Sequence, residues 1–326
     1  LEVSDSVPLE SLPTHHRPRV SIVMANYNYA QFVGQAIESV QRQDYRDWEL
    51  IVVDDGSTDG SRDIIAGYLS DSRIRFRPVD HLGQAGAKNA GLEWCRGPLI
   101  AFLDADDLWE PQKLSRQVDL FERDPTLGLV CTGRRFINSE GRQVEGVSLP
   151  LRRGWVVEHL LRDNFVCFSS AMVRAFALNH VGWFDPTIDL AIDYDLWLRL
   201  AVHYRFDFVD QPLVWYRCGH GNLSRRVKER LQVATLILRR FLQHEGHRID
   251  RSVVAEAQAA IWHHLGLAFR SQAPWESARW LLRSVGAKPG RLATWRSLAS
   301  LLIPSSGRRL LRRLVGTNPD WENVYN

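Results

Sequence analysis

Residues 99–107 read Leu99-Ile100-Ala101-Phe102-Leu103-Asp104-Ala105-Asp106-Asp107, and the break from an apolar run into three carboxylates decides how the rest of the chain is read. An uninterrupted apolar run suits a strand buried on both faces of a parallel sheet. Open α/β sheets bind their ligands just beyond the carboxyl ends of such strands. Like charges this close destabilise one another unless a cation sits among them. Carboxylate oxygens suit Mg²⁺ or Mn²⁺, with water and substrate phosphates completing the shell. The plainer alternative is an acidic, solvated turn that caps a helix before Leu108-Trp109-Glu110-Pro111.

A second strand end repeats the pattern. Glu49-Leu50-Ile51-Val52-Val53 is another buried-strand run, and it breaks into Asp54-Asp55-Gly56-Ser57-Thr58-Asp59-Gly60. Glycine and the small hydroxyl residues supply a tight turn and a cap for a helix from Ser61, so the doublet Asp54-Asp55 exceeds what a cap requires. A third run, Arg19 to Met24, ends in Ala25-Asn26-Tyr27-Asn28 and precedes an amphipathic helix around Phe32 to Val40. Alternating strands and helices with every polar cluster at a strand's carboxyl end predict an α/β nucleotide-binding sheet flanked by helices.

Four segments carry a family resemblance: Ser21-Ile22-Val23-Met24-Ala25-Asn26-Tyr27-Asn28, Val53-Asp54-Asp55-Gly56-Ser57-Thr58-Asp59, Gly86-Ala87-Lys88-Asn89-Ala90-Gly91, and Phe102-Leu103-Asp104-Ala105-Asp106-Asp107. In this order they resemble the family 2 glycosyltransferases, which have the GT-A fold and transfer a sugar from a nucleotide donor with inversion. Weaker similarity continues through Val181-Gly182-Trp183-Phe184-Asp185, Ile192 to Leu200, and Pro212 to Arg217. The resemblance implies a metal-dependent enzyme using a UDP- or dTDP-sugar. It places Ala25, Tyr27 and Asp55 at the nucleotide, with Tyr27 against the base and Asp55 accepting its imide N–H. Lys88 would contact the base or the diphosphate. Asp106 would bind the ribose or the metal shell, and Asp107 or Asp104 would ligate the Mn²⁺ or Mg²⁺ ion directly.

Inversion requires a carboxylate that takes the acceptor's proton, and the resemblance maps this base to Asp193, with Asp195 as the alternative. Leu196, Trp197 and Leu200 place the segment at the start of a packed helix, where the alternative role for Asp193 is a cap, although one cap does not require two aspartates. Ile192 departs from the family pattern, in which an acidic residue is common. His220, in a glycine-flanked segment, is a candidate third metal ligand, with an ordinary surface histidine as the alternative. His263-His264 lack the i,i+4 spacing of a metal pair on one helix face.

The chain of 326 residues is 45% apolar, ample for a substantial core. Its net charge of +3 hides an asymmetry: residues 1–216 carry −9 and residues 217–326 carry +12. We therefore expect a flexible leader over 1–18, a GT-A catalytic domain over 19–224, and a basic helical C-terminal region over 225–326. Val227 to Gln243 has helical periodicity, and Ala255 to Phe269 with Trp275 to Val285 suggests a helical hairpin. Ser305 to Val315 alternates arginine pairs with leucines and suits an anionic membrane, an acidic partner, or docking on the catalytic domain.

No apolar segment approaches the roughly 20 residues needed to span a bilayer, and the N-terminus lacks a signal-like apolar core. The expected setting is cytoplasmic, with peripheral contact at the inner membrane face. The Gln-x-x-Arg-Trp motif of processive members is replaced by Gln211-Pro212-Leu213-Val214-Trp215, which favours addition of a single sugar. The acceptor would be a saccharide or a lipid-linked one. Four scattered cysteines suit reduced thiols. A nucleotidyltransferase would need a basic Gly-rich loop after the first strand, which Asn26 to Gln31 does not offer. A noncatalytic nucleotide-sugar-binding protein would have lost the base or the acidic triplet. No base-reading motif supports nucleic-acid binding.

Overall fold

The computed structural model describes residues 17–220 and 226–301. Most of the expected leader and the whole Ser305 to Val315 stretch lie outside the described residues. The first part alternates β1 (Val20–Asn26), α1 (Ala30–Gln41), β2 (Trp48–Asp55), α2 (Ser61–Ala66), β3 (Ile74–Val79), α3 (Gly83–Glu93) and β4 (Leu99–Asp104). There follow β5 (Leu108–Trp109), α4 (Lys113–Arg123), β6 (Leu127–Ile137), β7 (Gln143–Val144), α5 (Val157–Arg162), β8 (Met172–Arg174), α6 (Ala175–Val181), α7 (Ile192–His203) and β9 (Arg205–Arg217). Four helices close the described chain: α8 (Val227–Glu245), α9 (Arg251–Phe269), α10 (Pro274–Ala287) and α11 (Leu292–Ala299).

The strands form one sheet in the order β3-β2-β1-β4-β8-β6-β9-β5, with β7 paired to β6. Strands β1 to β4 run parallel, whereas β8 is antiparallel to both β4 and β6. Ala25 lies opposite both Val53 and Asp104, so the polar ends of the three predicted strands sit level on one edge. All eight residues of β2 are buried, which explains its continuous apolar run. The strand is longer than its apolar stretch: Asp54 and Asp55 still pair with Pro78 and Val79 of β3, so the doublet belongs to the sheet. Val33, Ile37 and Val40 of α1 cover one face, and Ala87 and Ala90 of α3 cover the other. Helix α3 sits so close that a Cβ at Gly91 would meet Val23 Cγ1 at 2.6 Å.

The division expected at residues 224/225 follows the charge, whereas the apolar core runs across it. Ile237, Leu238 and Phe241 of α8 and Val253 and Ala257 of α9 join the core that holds Leu196, Trp197 and Leu200 of α7. Arg240 of α8 also pairs with Asp185 at 3.2 Å. The expected helical hairpin is α9 with α10. Its close approach is fixed by Gly266, where a Cβ would lie 2.6 Å from Leu281 Cγ, and by Ser277 Oγ and Ser284 Oγ, which donate to Gly266 O and Ala259 O.

His263 is buried there with Nδ1 3.1 Å from Thr294 Oγ1. Burial, helped by the charges of His264 and Arg291, pushes its pKa from 6.5 down to about 4, and burial with Arg291 does the same to His264. The unfolded chain takes up these protons first, so stability is full above the ordinary histidine range and is lost as pH falls from 6.5 towards 4. By pH 5 the loss approaches about 2 kcal/mol per histidine. The thermal midpoint should therefore fall between pH 7 and pH 5, less steeply in His264→Leu; equal slopes in the two proteins would refute this origin.

Candidate active site

At the end of β1, Asn26 Nδ2 donates to Asp54 Oδ1 at 2.9 Å and to Ser57 Oγ at 3.1 Å. Asp54 also accepts from Ser57 N and from Arg62 Nε at 2.6 Å. Burial alone would raise its pKa, but these hydrogen bonds outweigh it and hold the carboxyl below the usual range. The first aspartate of the doublet therefore ties two strand ends and a helix together. Asp55 instead faces the loop before α3, where its Oδ1 accepts from Leu82 N at 2.6 Å and its Oδ2 lies 2.9 Å from His81 Nδ1. The His81 ring stacks on half-exposed Tyr27 with centroids 4.3 Å apart. Tyr27, Asp55 and His81 thus share one corner at the strand ends, with Ala25 beside them in β1. Sequence reasoning missed His81, whose only sequence signal is its place in the short Asp80-His81-Leu82-Gly83 turn.

The acidic triplet divides into three environments. Asp104 ends β4, and its carboxylate meets Lys88 Nζ of α3 at 3.1 Å. That ammonium is buried and lies 3.9 Å from the Phe168 ring centre, so Lys88 is not an exposed helix lysine. Burial raises the Asp104 pKa against the pull of Lys88, and the charges of Asp106 and Asp193 push it further up. Asp106 lies 3.0 Å from His220 Nε2. Asp107 is 1% exposed and turned inward: Oδ2 accepts from Ser169 Oγ at 2.5 Å and Oδ1 from Arg217 N at 2.8 Å. Burial and the two neighbouring carboxylates push it well above the usual range. With both oxygens committed inside the protein, Asp107 does not have the position expected of a direct metal ligand. It anchors the acidic turn to β9 and to the 3₁₀ turn at Phe168–Ser170.

His220 is not the alternative surface histidine. Its side chain is 7% exposed and packs on Phe32 and edge-on to Tyr29. Its Nδ1 finds no hydrogen-bond partner among the described residues. An imidazole held beside a carboxylate is a mixed nitrogen and oxygen donor set that suits Mn²⁺ better than Mg²⁺, which prefers oxygen ligands alone. Among the described residues no three His, Cys, Asp or Glu side chains are gathered as a ligand cluster.

Arg217, at the end of β9, is a second residue whose role the sequence did not reveal. It is 1% exposed, and its guanidinium reaches Asp106 O at 2.7 Å, Asn138 O at 3.1 Å and Gln35 Oε1 at 3.0 Å while lying over the Phe32 ring. One side chain therefore braces the acidic turn against α1 and the end of β6.

Asp193 lies in the first turn of α7, after Ala191 in a left-handed conformation, and its Oδ2 accepts from Asn164 Nδ2 at 3.1 Å. It lines a cleft of about 220 Å³ together with Lys88, Asp104, Asn164, Tyr216 and Arg230. The predicted base and the first carboxylate of the triplet are thus brought to one cavity. Asp195 is committed elsewhere: it holds Arg199 at 2.7 Å, and Arg199 in turn donates to the carbonyls of Val181, Gly182 and Trp183. Ile192 is 2% exposed and belongs to the apolar core, which accounts for its departure from the acidic residue common in the family.

A parallel half-sheet joined at an acidic turn to a mixed half-sheet, with a cleft at the join, defines a GT-A glycosyltransferase scaffold. The chain belongs to glycosyl transferase family 2, whose sequence profile it matches over residues 21–182. It is 35% identical over 214 residues to a putative teichuronic acid biosynthesis glycosyltransferase, TuaG, of Bacillus subtilis, covering 65% of this chain and 83% of that protein. It is 31% identical over 215 residues to the chondroitin synthase of Escherichia coli, covering 65% of this chain and 31% of that protein. Several relatives are much longer, and the chain spans 22–35% of their length. The fold matches residues 1–349 of S. aureus TarS with a TM-score of 0.63 at 17% identity, over 84% of this chain and 82% of that one. The same TarS fragment in complex with UDP-GlcNAc matches at 0.60 and 18% identity, over 86% of this chain and 91% of that one. The nucleotidyltransferase alternative falls with this membership. Among the described residues no helix is long and apolar enough to cross a membrane.

Proposed function

We propose that this glycosyltransferase moves one sugar from a UDP- or dTDP-sugar to an acceptor hydroxyl with inversion, in the cytoplasm, during assembly of a surface polysaccharide or glycolipid. The observation that carries this reading is the shared cleft: Asp193 at the start of α7 and Asp104 at the end of β4 line the same cavity. The base would lie in the corner of Tyr27, Asp55 and His81, with Ala25 at its edge, because a carboxylate acceptor suits the ring N–H of uracil or thymine. Lys88, already beside Asp104, would face the diphosphate. Asp106 and His220 would hold Mn²⁺ or Mg²⁺, with Asp104 close by; such an ion supplies neutralisation of charge on the leaving diphosphate. Asp107 and Arg217 keep that turn in shape. Asp193, oriented by Asn164, takes the proton of the attacking hydroxyl on the face opposite the leaving group. Residues 19–224 would carry the chemistry, and the basic helical region 225–326 would follow them, its helices α8 and α9 sharing their core. The polysaccharide assignment draws on the names of the bacterial relatives, and the donor class on the UDP-GlcNAc bound by TarS. A saccharide or lipid-linked acceptor fits both.

The experiment is turnover of a panel of UDP- and dTDP-sugars with saccharide acceptors, reading the product's anomeric configuration by NMR. Inversion relative to the donor is expected. A product of retained configuration would overturn the role given to Asp193.

A further inference from the structure

We propose that the outer face of α10, with the start of α11, is a docking surface for an anionic lipid bilayer. This goes beyond the proposed reaction and uses residues outside its site. Helix α10 packs on α9 through Ser277, Leu281 and Ser284, all buried. Its opposite side carries Trp275, Arg279, Leu282 and Gly286 at i, i+4, i+7 and i+11, a single stripe along the helix. Trp275 is 89% exposed and Leu282 56%. After the turn, α11 exposes Leu292 and Trp295, and Trp295 Nε1 donates to Pro289 O at 2.8 Å, which ties the indole to the turn between α10 and α11.

Charge selects the occupant. From Arg270 to Leu301 there are six arginines and lysines against Glu276 alone. Lys288 and Arg291 are turned to Glu256, and Arg270 reaches Ser300. Arg279, Arg283 and Arg296 are exposed among the tryptophans and leucines, and among the described residues Arg279 pairs with Glu276 at 3.6 Å. A second copy of this face would bring like charges together. Tryptophan and arginine around exposed leucines on an amphipathic helix match the headgroup level of a bilayer, where the indole is half-buried and the guanidinium meets lipid phosphate. Anionic lipid adds attraction for each cation.

The test is co-sedimentation of the full chain, at low salt, with vesicles of equal parts phosphatidylglycerol and phosphatidylcholine, and with phosphatidylcholine alone. The wild type should sediment with the anionic vesicles only. Trp275→Ser combined with Leu282→Ser should weaken that binding by about tenfold or more, and neutralising Arg279 or Arg283 to Gln by about fivefold each. Because these side chains are exposed, the variants should keep the wild-type melting temperature and UDP affinity, which separates failure here from failure of the donor site. Wild-type protein that ignores anionic vesicles, or binds polyglutamate in their place, would overturn the proposal. So would variants that sediment as well as the wild type, since the contact would then lie elsewhere in the chain.

Discussion

Asp193→Asn should lower the rate of sugar transfer by roughly 10²–10⁴-fold and leave UDP affinity near the wild-type value. The substitution preserves shape and keeps a hydrogen-bonding group opposite Asn164 Nδ2, so α7 should start where it does now. What it removes is the capacity to accept a proton in the cleft shared with Asp104. Asp195→Asn provides the contrast. Asp195 pairs with Arg199, which closes three carbonyls between Val181 and Trp183, so its loss should appear first in stability and only then in rate. Rates of product formation set beside UDP titrations distinguish the two. Unimpaired transfer by Asp193→Asn would move the base to another residue.

Arg217→Ala should cost about 3–5 kcal/mol of stability and abolish nucleotide binding at accessible concentrations. The carbonyls of Asp106 and Asn138 and the amide of Gln35 would lose their donor inside the protein. The charges of Asp106 and Asp107, which act on this guanidinium, would lose a cationic neighbour at the same time. Lysine is a poor replacement, since a single ammonium cannot reach acceptors spread over α1, the acidic turn and the end of β6. Denaturant unfolding measures the loss directly. A variant within about 1 kcal/mol of wild type would show that the guanidinium is not the brace described above, given that ordinary surface substitutions stay within about 0.5 kcal/mol.

The sheet was legible because its signals are local. An apolar run ending in a polar cluster fixes both a strand and the direction in which it points, and three such runs level their ends by parallel pairing. Roles that depend on distant partners were not legible. Three aspartates within four residues look equivalent in sequence, yet Asp107 turns inward because Ser169 and Arg217, far along the chain, supply its hydrogen bonds. His81 carries no motif; only the fold of its loop over Asp55 brings it onto Tyr27. Charge also gave an incomplete guide to organisation. The sign change near residue 217 marks what the outer surface carries, while the seam between α7 and α8 is apolar and continuous. That His220 is no surface histidine is visible only in its ring, buried against Phe32 and Tyr29.

The donor site is the central claim, and calorimetric titration of UDP tests it most directly, with dTDP and GDP as comparators, with and without Mn²⁺, on the wild type and on Asp106→Asn. UDP or dTDP should bind more tightly than GDP, the affinity should rise with Mn²⁺, and Asp106→Asn should lose that rise while remaining folded. A folded wild-type chain that binds none of these nucleotides, with or without the ion, would contradict the account and leave the acidic turn as scaffold alone.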